Sequence, residues 1–161
     1  MKNLVKFFHH VGKLKEMPRR GWVINDIKSG ESIADHTFRA SLMAWVLGNK
    51  KKGLNIERVL KMALMHDICE VYAGDITPYD TVLPKNIKKR KEFMKTWPRF
   101  TEAQKLKISR EKHKKEEKGL KKLTKDLPSD IKKEMENLWL DYEKGLTPEG
   151  RFFRQADRLE N

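Results

Sequence analysis

Apolar residues recur every three or four positions along most of this chain, and nowhere do they alternate with polar ones over the length of a strand. A helix with one buried face requires that period, and a sheet does not produce it. Leu4, Phe7, Phe8, Val11 and Leu14 form the first stripe. Pro18 and Gly21 break the pattern, and Trp22, Val23 and Ile24 read as a loop or extended piece running to Gly30. Ser32 and Asp35 have the spacing of a capping box, with Asp in place of Glu. They open a helix expected to carry Phe38, Leu42, Trp45 and Val46 inward. Lys50, Lys51 and Lys52 suit the negative end of that helix, and Gly53 stops it. Asn55 caps the next helix, expected to run to about Val71 with Val59, Leu60, Ala63 and Leu64 as its buried face.

Gly74 and Pro78 mark a turn. Residues 86–95 read as a short basic helix and 101–125 as a long Lys-rich one, with a thin stripe of Leu106, Leu120 and Leu123. Pro128 and Ser129 start another helix that ends near Gly145. Thr147 and Pro148 open the last, which carries Phe152, Phe153, Ala156 and Leu159. The expected fold class is all-α, a helical bundle forming one domain over residues 1–161.

Charged residues make up 37% of the chain and apolar ones only 38%, yet four Trp and seven Phe are present, so the reading is an ordered domain with a heavily charged surface. The net charge of +13 suits phosphorylated substrates, nucleic acid or an anionic surface, and equally suits plain solubility. A single cysteine, Cys69, excludes an internal disulfide and a cysteine-based zinc cluster. No apolar run is long enough for a bilayer and the first residues have no cleavable-leader pattern, so a cytoplasmic protein without a membrane partner is expected. His9 and His10 read as surface residues.

The segment Met65-His66-Asp67-Ile68-Cys69-Glu70 carries the chemistry. Asp67 lies four residues after Ala63 and Glu70 four after His66, so these groups extend the apolar face of their helix. Burying a free carboxylate or imidazolium costs several kcal/mol. A divalent cation would offset that cost, taking neutral imidazole and ionised carboxylate as partners. A lone core histidine satisfied by hydrogen bonds is the plainer alternative, but Asp67, Glu70 and Asp75 around one turn are poorly explained by packing. His36 falls in the first helical turn after Ser32, where the positive helix end keeps its ring neutral, as a metal ligand must be. Asp157 lies four residues after Phe153 and can face the core too, or can pair with Arg154 or Arg158.

The order His36, His66-Asp67, Asp157 resembles the HD superfamily of phosphohydrolases. The segments Glu31-Ser32-Ile33-Ala34-Asp35-His36, residues 66–78 and residues 147–157, together with Pro18-Arg19-Arg20-Gly21-Trp22, resemble one branch of it. That branch holds the bacterial 5'-deoxynucleotidase and the eukaryotic HD-domain-containing protein 2. The resemblance implies an all-helical HD-type fold and one divalent metal ion, which could be Co, Mn, Zn, Ni, Fe or Mg. It also implies hydrolysis of deoxyribonucleoside 5'-monophosphates to nucleoside and phosphate. Carried over by residue, His36, His66, Asp67 and Asp157 are the metal ligands, and Glu70 and Asp75 the catalytic acidic pair. Arg19, Arg20 and Trp22 are the candidates for holding phosphate and sugar. In the bacterial enzyme the arginine stands beside the tryptophan; Gly21 stands there in this chain, so Arg19 and Arg20 both remain candidates. The branch continues past Asp157 with a further helix, so a chain ending at Asn161 is expected to be a form lacking it.

Metal activation of water and neutralisation of the phosphate are what so slow a hydrolysis demands. Two other readings stay open. One keeps the HD site but takes a cyclic or triphosphate nucleotide. The other is a basic nucleic-acid-binding module over residues 85–125, against which Glu111, Glu116 and Glu117 interleave with the lysines and no aromatic ladder accompanies them. The expected partner is a nucleoside monophosphate rather than nucleic acid, with monomer and homodimer both open.

Overall fold

The computed structural model describes residues 2–160; Met1 and Asn161, the two ends of the expected domain, lie outside the described residues. The elements are α1 (Lys2–Gly12), a 3-10 turn (Lys13–Lys15), α2 (Arg20–Ile24), α3 (Ile33–Gly48), α4 (Ile56–Met65), α5 (Glu70–Ala73), α6 (Ile87–Lys95), α7 (Glu102–Thr124), α8 (Ser129–Lys144) and α9 (Pro148–Glu160). The all-α expectation holds.

Local chemistry sets most of the helix ends. Ser32 Oγ accepts the Asp35 N–H at 3.1 Å, and Asp35 accepts the Ser32 N–H at 2.8 Å, completing the capping box. Thr101 and Gln104 form a second box, and Asn55 and Asn86 cap α4 and α6. Each such cap is worth about 1 kcal/mol. Gly145 closes α8 with a left-handed φ of 61°.

α3 packs on α4 and α9, α4 also meets α8 and α9, and α5 lies on α7. Ile33, Ala40 and Ala44 interlock with Val59, Met62, Ala63, Phe153 and Ala156 in the core. Phe153 is wholly buried, and its truncation to Ala would cost about 3–5 kcal/mol. Two close approaches depend on glycine. A Cβ on Gly119 would stand 2.7 Å from the Cys69 carbonyl, so only glycine lets α7 come up against the turn before α5. A Cβ on Gly150 would stand 2.2 Å from Asp141 Oδ1, where the start of α9 seats on α8. An isolated antiparallel bridge joins Pro18 to Ser32; Arg19 N–H donates to the Glu31 carbonyl at 2.9 Å, which sets Arg19 beside the head of α3.

Several expectations need correction. Trp22, Val23 and Ile24 are helical, in α2, because one turn of helix fits between Pro18 and Gly30. The second helix of the motif region ends at Met65, not near Val71; three-residue bonds from Ile68 N–H to the Met65 carbonyl and Glu70 N–H to the Asp67 carbonyl tighten the chain there. No Gly or Pro marks that break. α3 is turned the other way round: Ile33, His36, Ala40, Ser41, Ala44 and Gly48 face inward, while Phe38 is 69% and Trp45 51% exposed, with Leu42 and Val46 beside them on the outer face. Small residues let α4 and α9 approach α3 closely, and the large ones are left outside. Leu64, Leu106 and Leu159 are likewise exposed.

Candidate metal centre

α3 supplies His36, the tightened turn after α4 supplies His66 and Asp67, and α9 supplies Asp157. Successive residues on a regular helix diverge by about 100°. In the turn after α4 the two side chains nevertheless converge, with His66 Nε2 and Asp67 Oδ2 3.2 Å apart. His36 Nε2 lies 3.1 Å from His66 Nε2, 3.2 Å from Asp157 Oδ1 and 3.5 Å from Asp67 Oδ2. His66 Nε2 lies 3.7 Å from Asp157 Oδ1. Four donors that share an ion at bonds of about 2.0–2.2 Å sit roughly 3–3.6 Å apart, so this donor set and spacing suit a divalent metal. The ligand atoms of His36, His66 and Asp67 all fall within 4.8 Å of one another, a group that could hold an ion.

Both imidazoles are buried. Burial works to lower the His66 pKa, but Asp67, Asp157 and the Ala63 carbonyl at 2.8 Å outweigh it and raise the value. Burial works to raise the Asp67 and Asp157 carboxyls, but the facing imidazoles, and Arg19 for Asp67, hold them below the usual carboxylate range. Tyr142 Oη donates to Asp157 Oδ2 at 2.9 Å.

Glu70 opens α5 with its side chain buried, and its Oε2 has no hydrogen-bond partner among the described residues. Burial, then Asp67 and Asp75, push its carboxyl up to about 10. An orphaned buried carboxylate oxygen so close to two acidic groups is costly unless a cation or proton meets it. Asp75 Oδ2 accepts the Arg20 N–H at 2.7 Å and lies 3.9 Å from Arg19 Nε. Arg19 Nη1 donates to Asp67 Oδ2 at 3.1 Å, so this guanidinium reaches the cluster. Arg20 turns away and donates Nε–H to Asp80 at 2.6 Å. Trp22 lines a cavity of about 430 Å³ together with Arg19, Asp75 and Thr77.

The structure thus gathers every residue singled out from the sequence except the Arg20 side chain. It adds three that sequence reasoning missed: Tyr142, Glu160 and Arg39. Glu160 is three residues after Asp157 and Arg39 three after His36, a spacing that could have marked both. Tyr142 leaves no such trace.

A family profile for the HD domain matches residues 11–161. This chain belongs to the HD domain family. The chain is 37% identical over 159 residues to the 5'-deoxynucleotidase HDDC2 of Bos taurus, covering 99% of this chain and 64% of that protein. To the Homo sapiens 5'-deoxynucleotidase HDDC2 it is 35% identical, with 99% and 65% covered. It spans just under two thirds of the length of these two curated relatives. A crystal structure of a predicted metal-dependent phosphohydrolase from Magnetospirillum magnetotacticum MS-1 is similar with a TM-score of 0.70 and 27% identity, over 98% of this chain and 68% of that one. A conserved hypothetical protein from Pyrococcus furiosus is similar with a TM-score of 0.64 and 28% identity, over 97% and 73%.

The outer side of the Lys-rich α7 carries mixed charge, with Lys105 and Lys121 paired to Glu102 and Glu117, while Lys112 pairs with the buried Glu116. Among the described residues no helix is long and apolar enough to cross a membrane.

Proposed function

We propose that this HD domain is a metal-dependent 5'-nucleotidase that converts deoxyribonucleoside 5'-monophosphates to nucleoside and phosphate. The observation that carries this reading is the convergence of His36, His66, Asp67 and Asp157 beside Glu70, whose buried Oε2 has no hydrogen-bond partner among the described residues, with the Trp22 cavity opening next to Arg19. The 5'-deoxynucleotidase names of its relatives agree with it. His36, His66, Asp67 and Asp157 would hold one divalent ion, which supplies charge neutralisation at the phosphate and activation of water. The ion would be Co, Mn, Zn, Ni, Fe or Mg.

Arg19 would hold a phosphate oxygen, its guanidinium being drawn inward by Asp67 and Asp75. Trp22 would pack on the sugar and leave no room for a 2'-hydroxyl. Glu70 and Asp75 would take the proton of the attacking water and return one to the 5'-oxygen as the P–O5' bond breaks. The cavity volume of about 430 Å³ lies in the range of small-ligand pockets. The same reading includes a homodimer, supported by α3 being apolar on its outer face as well as its inner one.

The test is phosphate release by the purified chain from deoxyribo- and ribonucleoside 5'-monophosphates, cyclic nucleotides and triphosphates, each with several divalent metals. Release from deoxyribonucleoside monophosphates in preference to the ribo forms is expected. Turnover confined to cyclic or triphosphate nucleotides would overturn the substrate assignment while keeping the HD chemistry.

A further inference from the structure

We infer that Glu160 is a positioning residue for the metal centre: it sets the tautomer and orientation of His36, and Arg39 holds its carboxylate in place to do so. The inference rests on the metal-dependent reading above, but its first test does not. His36 is wholly buried, and its two ring nitrogens face two different carboxylates of the same helix. Nε2 faces Asp157 at 3.2 Å, and Nδ1 faces Glu160 Oε2 at 2.5 Å. Asp157 and Glu160 are three residues apart on α9, so one helix face addresses both ends of the ring.

The Glu160 carboxylate has the Arg39 guanidinium at 2.6 Å on Oε1 and accepts from Nδ1 on Oε2, so Nδ1 carries the hydrogen. Nε2 is then left with its lone pair aimed at His66, Asp67 and Asp157, the form a metal ligand needs. His66 reaches the same state by another route, with Nδ1 on the Ala63 backbone carbonyl at 2.8 Å. Of the two rings, His36 is therefore the one whose tautomer a side-chain substitution can release.

The Glu160 side chain is fully enclosed, and a buried carboxylate needs a counter-charge. Arg39 provides it at 2.6 Å from Oε1, donates to the Glu160 carbonyl at 3.2 Å, and bonds Glu31 at 3.1 Å. Arg39 stands one turn after His36 on α3, so α3 presents both the imidazole and the cation. Glu31, His36 and Glu160 come close enough to suggest a second ion site, but the Arg39 guanidinium already supplies the cation there.

The experiment uses the full chain and two readouts. The first is the ¹⁵N shift pair of His36 in metal-free protein, which reports which ring nitrogen is protonated. The second is affinity for Mn²⁺ alone by calorimetry. Wild type should show Nδ1-protonated His36. Glu160→Ala should show a mixed tautomer and bind Mn²⁺ roughly 10–100-fold more weakly, the usual effect of losing an outer-shell partner of a ligating histidine. Glu160→Gln, which keeps an acceptor oxygen and the side-chain volume, should recover most of both. Glu160→Leu, of similar volume but with no acceptor, is the probe if the alanine form does not fold, and the same mixed tautomer and weakened Mn²⁺ binding are expected of it. An unchanged tautomer and unchanged Mn²⁺ affinity in the folded alanine variant would overturn the assignment, as would Nε2 protonation in wild type. Failure of wild type to bind any divalent metal would sink the metal reading instead, and the tautomer would then decide this assignment alone.

Discussion

Replacing Asp141 should unseat the helix that delivers Asp157. Asp141 is almost fully buried near the end of α8; its Oδ1 accepts the Thr147 N–H at 2.9 Å, and its Oδ2 accepts Thr147 Oγ1 at 2.6 Å and Arg58 Nη2 at 2.7 Å. One carboxylate thus ties α8 to the cap of α9 and to α4. Removing one partner of a buried ion pair costs about 3–5 kcal/mol. Arg58 is a third exposed and can be rehydrated, so the lower half of that range applies, about 3–4 kcal/mol for Asp141→Ala. A domain of this size loses about 2–4 °C of Tm per kcal/mol, giving a drop of roughly 6–16 °C. Asp141→Asn keeps the shape and one acceptor and should fall by less. Burial works to raise the Asp141 carboxyl, but Thr147 and Arg58 hold it below its ordinary value. A depressed folded pKa contributes stability that is complete above the unfolded value of about 3.9 and is lost as pH falls through the folded one. Thermal melts followed by circular dichroism should therefore show a constant gap between wild type and Asp141→Asn from pH 7 to 5, closing below pH ~4. An alanine variant melting within about 2 °C of wild type, under the expected 2–4 °C per kcal/mol, would refute the reasoning, as would a gap that widens in acid.

Four further outcomes follow from the site and the surface. Asp67→Ala should lose both bound metal and turnover, and unchanged metal content by elemental analysis would remove Asp67 from the ligand set. Glu70→Ala should keep the metal and lower the rate roughly 10²–10⁴-fold, the usual range for general acid–base catalysis; parallel loss of metal per chain would make Glu70 a ligand instead. Neutralising Lys114, Lys115, Lys121 and Lys122 together should leave nucleotide turnover within a few-fold, and loss of activity there would make α7 the functional surface. Trp45→Asp combined with Leu42→Asp should convert a dimer to a monomer in sedimentation velocity, and a monomeric wild type would dismiss the homodimer.

Much of the site could be read from the chain because its parts are short and local. The His66-Asp67 pair, the acidic groups at 70 and 75, and the ring at 36 stand in an order that already resembled the HD superfamily. Arg19 and Arg20 could not be told apart that way, since both flank the same turn. The structure separates them by their partners, Asp67 and Asp75 for the first and Asp80 for the second. Tyr142 left no sequence mark because its only relation to Asp157 is the packing of α8 against α9.

The starts of four helices were a property of the sequence itself. Ser32, Asn55, Asn86 and Thr101 satisfy backbone donors within three residues, so no distant contact is needed to place them. The facing of α3 and the break at Met65 belonged to the tertiary structure. α3 has apolar residues all round, so its period names no inner face, and close packing on α4 and α9 selected the small side and left Phe38 and Trp45 outside. The helix-forming run through residue 71 carried no breaker; its tight turn came with the gathering of His66 and Asp67 toward His36 and Asp157, groups whose mutual distances exist only once the helices have packed.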